Sequence, residues 1–469
     1  MREIKKTEDK EVIANNFYLI AERHSRIHSS HFNDASFCEK FYVYLRGTPD
    51  PSGTLLRFST ENKKNKLIYL MMGGLSLRGL TLELPKAFFD NGEFGEGVLG
   101  VSLGEGDSLR MMVSGESTYS FKDPEIFEDH APREERTLRL PPVELLVIEG
   151  VSAYSGGQVV KNGSLIVYEE SANPLKRKFI AGLHDKIFRA GDSVIGSFKY
   201  NKAYELNQAV LFFSRCPTNY FHWMIEYLPR LKSLVDMGLT SIPVLVPKGL
   251  ANQQYEALDI LVKRFDLKLY YIDPSFKVKL NKVYIPSPVT FHPDDPDVPF
   301  WMGAGLHSES VKFLRNNLME GLGVLENKSP KEKIFLARSG NLRNVANISE
   351  IHRVVQEEGF TLVYPERFSL KEQASIMANA RVVISPGGSS LTNVIFMSPG
   401  AKLISLIGHQ NRYYSIYANL ADLCGVSYLH VTGEPTMTLE QCGSDLNYMH
   451  SGYKVDAEKL RRAIRSWGN

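Results

Sequence analysis

The chain has 469 residues, 43% of them hydrophobic and 23% charged, which excludes a disordered polypeptide and leaves room for two or three domains. A formal net charge of +2 provides no field for nucleic acid. The four cysteines, Cys38, Cys216, Cys424 and Cys442, lie far apart with no C-x-x-C spacing, which argues against structural zinc and a disulfide framework and for reduced thiols.

The chain opens with MREIKKTEDKEVI, which lacks the apolar stretch of a signal peptide, and no run of about 18 apolar residues marks a membrane span. The expectation is a cytoplasmic protein. Residues 1–35 read as a short polar helical lead. His24, His28 and His31 fall at i, i+4 and i+7, but no carboxylate or cysteine completes a metal set there, and a solvated helix face explains the spacing. Residues 36–140 change texture to short apolar or alternating segments such as FYVYL, KLIYLMM and SLRMMVS, with Gly, Asn and Asp between them. That pattern predicts a β-rich module of the sandwich or jelly-roll kind, for which saccharide binding and a structural or oligomerising role, as in a homodimer, both stay open. The charged stretch EIFEDHAPREERT, 125–137, reads as a boundary.

Residues 141–328 begin with hairpin-like β structure, LLVIEGVSAYSGGQVVKNGSLIV, and continue from about 195 as strands alternating with helices: AVLFF, PVLVP, KLYYI and KVYIP. Inside this layer lies CPTNYFHWMIEYLPRL, 216–231. At 100° per residue Asn219, His222, Glu226 and Arg230 share one side of a helix, with Pro229 set to end or kink it. An ordinary exposed face with i, i+4 ion pairs has such a row too. The aromatics beside it, Tyr220, Trp223 and Tyr227, favour a pocket with Asn219, Trp223 and Arg230 among its walls. Downstream, Asp295 and Asp297 sit in the Pro-rich PDDPDVP, which reads as a solvated turn rather than a metal site.

Residues 329–469 are the most regular. KIFLA precedes a helix opening at Ser349 and stopped by Gly359; FTLVY precedes a helix with a Ser369-x-x-Glu372 capping box; RVVI, KLISLI and SYLHV follow, with helices between. Strands alternating with helices predict a parallel, doubly wound sheet, whose ligands bind beyond the carboxyl ends of the strands. Arg338 and the turn of Gly387, Gly388, Ser389 and Ser390 both fall at such ends. Unpaired N–H groups at the start of a helix suit phosphate, although a tight turn with a serine cap needs the same glycines.

Three ordered motifs, N-Y-F-H-W-M-x-E-x-L-P-R-L, L-A-R-S and S-P-G-G-S-S-L-T-N-x-x-F-M-S-P-G-A, carry a resemblance. Over residues 195–469 the chain resembles glycosyltransferase family 61. The resemblance implies an α/β fold of GT-B type, with two Rossmann-like domains across a cleft, here preceded by the β-rich module. The donor would lie mainly in the C-terminal domain and the acceptor mainly in the other. It also implies inverting transfer with no obligatory metal and no cofactor. Where many members carry G-P-H-G-A-G-L-T-N, this chain has Gly387 for the histidine and serine at three other positions.

An inverting displacement needs a base for the acceptor hydroxyl and positive groups for the departing nucleoside diphosphate. Glu226 is the candidate base and His222 the alternative. Arg338, Arg343 and the N–H groups around Gly388 to Ser390 are candidates for the diphosphate, with Thr392 and Asn393 toward ribose or phosphate. The expected function is transfer of a sugar from a nucleotide-sugar to a glycan or lipid-linked acceptor in surface polysaccharide synthesis, with peripheral docking at the membrane. A nucleotide-sugar epimerase on the same fold and a non-catalytic saccharide-binding protein are the alternatives.

Overall fold

The structure is a computed structural model that describes residues 98–104, 108–166, 187–190, 193–198, 200–214, 216–291, 305–338, 345–442 and 448–467. The polar lead with its three histidines, Asp295, Asp297 and Arg343 lie outside the described residues.

The first sheet is built on five strands, β1 (Val143–Tyr154), β2 (Lys202–Val210), β3 (Val244–Pro247), β4 (Leu269–Ile272) and β5 (Phe276–Pro286), in the spatial order β4-β3-β2-β5-β1. Neighbours from β4 to β5 pair in parallel, and β1 closes against β5 antiparallel. β2 to β5 thus stand third, second, first, fourth, the order of one half of a dinucleotide-binding sheet. Helix α1 (Leu231–Asp236) lies between β2 and β3, and α2 (Asn252–Phe265) between β3 and β4. The hairpin expected after β1 is present, with Gln158–Lys161 and Ser164–Ile166 joined at Asn162 and Gly163, both at positive φ as a two-residue hairpin turn requires.

The described part of the β-rich stretch does not stand apart. Leu109–Ser114 pairs with β1, and Val98–Gly104 pairs with Ser164–Ile166, so these strands extend the first sheet. Ser117–Lys122 and Glu135–Leu140 form a separate antiparallel pair over a small core of Phe121, Leu138, Leu140 and Phe291. The charged stretch read as a boundary is likewise tied in, for reasons its composition hides. Glu125–Ile126 adds to the far edge of the second sheet, Phe127 N donates to His430 O, and Glu128 pairs with Arg462 at 2.8 Å.

Helix α3 (Ser308–Leu322) leads into the second sheet, formed by β6 (Glu332–Leu336), β7 (Thr361–Val363), β8 (Ala380–Pro386), β9 (Lys402–Gly408) and β10 (Ser427–Pro435). The spatial order is β7-β6-β8-β9-β10, all parallel. The central strands β8 and β9 are buried on both faces, which is why they read as nearly continuous apolar runs. Helices α4 (Ile348–Glu357) and α7 (Ala457–Trp467) cover one face over a core with Phe335, Ile351 and Leu460. Helix α5 (Leu370–Asn379) opens with the expected box, Ser369 N donating to Glu372 Oε2 at 2.8 Å and Ser369 Oγ accepting from Glu372 N. Helix α6 (Ile416–Leu423) follows β9.

One apolar core runs between the sheets. It includes Phe212 and Phe213 after β2, Leu314 and Leu318 of α3, and Leu391 and Phe396 after β8. Each such side chain contributes about 1.5–3 kcal/mol on burial, so the packing contact between the layers is substantial. Polar ties add to it: Gln253 donates to Phe368 O, Glu256 accepts from Leu370 N, and Arg315 donates to the carbonyls of Ile395 and Met397. Among the described residues no helix is long and apolar enough to cross a membrane.

Candidate active site

In the second sheet the first strand, β6, lies between β7 and β8, so the chain reverses its direction of winding between β6 and β8. Outside the carboxyl ends of these two strands is the switch point at which sheets of this order bind ligands. Arg338 follows β6 and Gly387 follows β8, and Arg338 Nη1 donates to Gly387 O at 3.0 Å. Gly388 has φ 155°, a conformation essentially reserved for glycine, and a Cβ there would stand 2.7 Å from Arg338 Nη1. Gly388 therefore admits the guanidinium against the backbone. Among the described residues Arg338 has no carboxylate partner.

The segment after Gly388 is a 3-10 helix, Ser389–Phe396, rather than the α-helix the sequence suggests. Its tighter turns suit a stretch buried from Leu391 onward. Ser389 and Ser390 are half-buried at its start, Ser390 Oγ lying 3.2 Å from Ser385 Oγ. Thr392 is wholly buried, and its hydroxyl has no partner among the described residues.

Beside the turn is a hollow walled by Leu391, Ile407, Tyr414, Tyr417 and Tyr453, with Asn411 at its margin. Tyr453 is fixed by donating to Leu406 O at 2.6 Å, and Asn411 by donating to Met449 O at 2.8 Å. The sequence reading missed these residues. Their signal was position, since Asn411, Tyr414 and Tyr417 follow the carboxyl end of β9, next to β8.

The second constellation lies on the connection from β2 to α1. Asn219 Oδ1 accepts from the backbone of Phe221 and His222, starting a helical segment. His222–Tyr227 then form a π-helical turn, closed by Leu228 N reaching Trp223 O, and Leu228–Arg230 tighten to 3-10. Pro229 has no N–H to offer the preceding turn. The carbonyl of Ile225 is met instead by Thr290 Oγ1 at 2.7 Å, and that of Glu226 by Arg230 Nε at 2.8 Å. Such turns cluster at functional sites because they push side chains out of α-helical phase.

The turn sets His222 Nδ1 2.9 Å from Glu226 Oε2, with side chains 13% and 8% exposed. His222 Nε2 has no hydrogen-bond partner among the described residues. A carboxylate on Nδ1 fixes the tautomer with the proton there and leaves Nε2 as a lone-pair acceptor. Trp223 is fully buried with Nε1 donating to Gln254 O, so it is core and not a pocket wall. Arg230 is buried too, its guanidinium lying 5.1 Å over the Tyr227 ring, and Asn219 is a cap. Asn393, expected near ribose or phosphate, is 1% exposed with both ends of its amide engaged, by Tyr220 and Gln373.

The two constellations meet at the start of the π turn. Tyr220 Oη donates to Asn393 Oδ1 at 2.8 Å, and the Phe221 ring lies 5.5 Å from Tyr417, a wall of the hollow.

The α/β fold thus carries a histidine–carboxylate pair on the π turn and an arginine-bearing, glycine-lined switch point on the second sheet. Residues 220–404 match the family model described as Glycosyltransferase 61, a match that supports assignment to that family. The matched stretch contains His222, Glu226, Arg338 and the whole Gly387 turn. That assignment supports glycosyltransferase activity, for which a sugar donor and an acceptor would be the substrates. No curated protein matches the chain.

Proposed function

We propose that the chain is an inverting glycosyltransferase that takes its sugar from a nucleotide-sugar. The observation that carries the reading is Arg338, a guanidinium held against Gly387 and Gly388 at the switch point with no carboxylate partner among the described residues. Arg338 and the N–H groups at the start of the 3-10 helix hold the diphosphate, and their positive charge meets the charge that develops as the sugar leaves. The nucleobase packs among Tyr414, Tyr417 and Tyr453.

His222 is the base and Glu226 its orienting partner, a refinement of the carboxylate-as-base expectation. The imidazole is the more exposed of the two and has a nitrogen with no partner among the described residues, whereas the carboxylate faces Nδ1. His222 Nε2 takes the proton of the acceptor hydroxyl while that oxygen displaces the nucleoside diphosphate at the anomeric carbon. Glu226 stabilises the imidazolium that results.

The two sheets take the GT-B roles in this reading, donor on the second and acceptor toward the first. Glycan or lipid-linked acceptors of surface polysaccharide synthesis, reached by a cytoplasmic protein docking at the membrane, complete it. Metal is not required, and excess chelator is expected to leave turnover nearly intact. The test is thermal stabilisation of the full chain by a panel of nucleoside diphosphates. Stabilisation by one base family, lost in Arg338→Ala and kept in Glu226→Gln, supports the donor site; no response to any nucleotide rejects it.

A further inference from the structure

Tyr220, Asn393 and Gln373 form a buried relay whose direction is fixed from one end. Gln373 Nε2 donates to Pro365 O at 2.8 Å and to Phe368 O at 3.1 Å, so its Oε1 must face the other way, toward Asn393. Asn393 Nδ2 donates to that oxygen at 2.8 Å, which turns Asn393 Oδ1 toward Tyr220, and Tyr220 Oη donates to it at 2.8 Å. Both amides are buried, at 5% and 1% exposure, and no group in the relay can flip without leaving a polar atom unpaired. The Tyr220 hydroxyl is held protonated by burial and by the nearby Glu256 carboxylate, so it stays a donor.

The ends of this relay matter more than its bonds. Tyr220 sits two residues before His222, at the start of the π turn, and Asn393 lies on the 3-10 helix that begins at Gly388. The polar ties of Arg315 and Glu256 between the sheets attach elsewhere, and at the π turn the relay is joined by the Phe221–Tyr417 ring contact, which is not directional. We propose that Tyr220 and Asn393 are positioning residues, a strut that sets the His222–Glu226 turn at a fixed reach from the Gly387–Gly388 turn. The inference rests on the donor and base assignments above. A displacement of about 1 Å between reacting groups is enough to lower turnover by about a hundredfold, so one hydrogen bond at this place has leverage on rate beyond its worth in stability.

The test uses the full chain, with release of nucleoside diphosphate from a panel of UDP- and GDP-sugars, together with thermal stabilisation by UDP and GDP. Tyr220→Phe keeps the ring and removes the hydroxyl. It is expected to bind the nucleoside diphosphate within about twofold of wild type, in full stoichiometry, while kcat falls at least tenfold and KM for the donor moves less than threefold. A second pair of variants separates positioning from stability. Asn393→Asp, neutral in this buried place, can still accept from Tyr220 and donate to Gln373, whereas Asn393→Leu can do neither. Positioning predicts the higher kcat in Asn393→Asp even though a buried carboxyl is the less stable replacement; a merely structural role predicts that kcat follows the melting temperature. An active wild type matched by Tyr220→Phe, or kcat and binding stoichiometry falling together, overturns the strut alone. A wild type that releases nothing from any donor and binds neither UDP nor GDP overturns the transferase reading, and the strut's role with it.

Discussion

His222 Nδ1 faces Glu226 Oε2 at 2.9 Å across a single π-helical turn, and the imidazole turns its other nitrogen away from the carboxylate. The pair predicts an unusual sensitivity to an isosteric change. In Glu226→Gln the amide offers either a carbonyl oxygen or an NH2 group to Nδ1. The NH2 orientation makes Nδ1 the acceptor and puts the proton on Nε2, where it blocks the base. Turnover in Glu226→Gln and in His222→Ala is therefore expected to fall at least about a hundredfold, with nucleoside diphosphate binding retained. Single-turnover rates beside thermal shifts check this, and near-normal rates in His222→Ala reject the imidazole as base.

Gly388 tests the donor side without touching a charge. Its φ of 155° and the 2.7 Å approach of Arg338 Nη1 to a Cβ leave no room for a methyl group. Gly388→Ala is expected to lose about 1–3 kcal/mol of stability to backbone strain and to displace the guanidinium. Its stabilisation by nucleoside diphosphate should drop along with that of Arg338→Ala. Calorimetric titration of the two variants makes the comparison. Unaltered affinity in Gly388→Ala detaches the glycine from the site.

Much of the second sheet was legible because its strands are buried on both faces and its turns are marked by glycine and a capping box. Arg338 and Gly387 came together as expected because strand ends in a parallel sheet share one edge. The polar row at 219–230 was read less well. A 100° wheel assumes α-helical phase, and bonding five residues back turns each residue through a smaller angle, so the wheel does not describe this row, and Trp223, expected in a pocket wall, is core. Nothing in a local pattern announces Thr290, 65 positions away, as the group that answers Ile225 O. Asn393 misled for a related reason: polar type suggested ligand contact, but its partners, Tyr220 and Gln373, are distant in sequence.

Thr290 is accordingly a test of the π turn itself. Thr290→Val keeps the shape and removes the hydroxyl from the Ile225 carbonyl, leaving a buried acceptor unpaired at a cost of about 1–3 kcal/mol. For 469 residues unfolding as one unit each kcal/mol corresponds to a melting shift of about 1 °C. The expected result is a lower melting temperature accompanied by loss of turnover greater than the unfolded fraction explains. A variant as active as wild type per folded molecule shows that the turn holds without its hydroxyl.

His430 gives the fold an acid limit. It lies in β10, fully buried, with its ring 5.0 Å from that of Tyr428 and Nε2 3.3 Å from Tyr414 O. Burial pushes its pKa down to about 4. In the unfolded chain the ordinary value is about 6.5, so between pH 6.5 and 4 the unfolded state binds a proton that the native state refuses. Stability from this residue is complete above pH 6.5 and is lost as pH falls toward 4, by about 3 kcal/mol in total. Burial lowers the pKa of His307 and His352 as well, which adds loss of the same sign. Urea unfolding at pH 7.5 and 4.5 is expected to show the drop, and His430→Leu should flatten part of it. An equal pH dependence in that variant assigns the acid sensitivity to other groups. Because Tyr414 both receives His430 and walls the hollow beside Gly388, nucleoside diphosphate affinity should weaken over the same interval, before global unfolding.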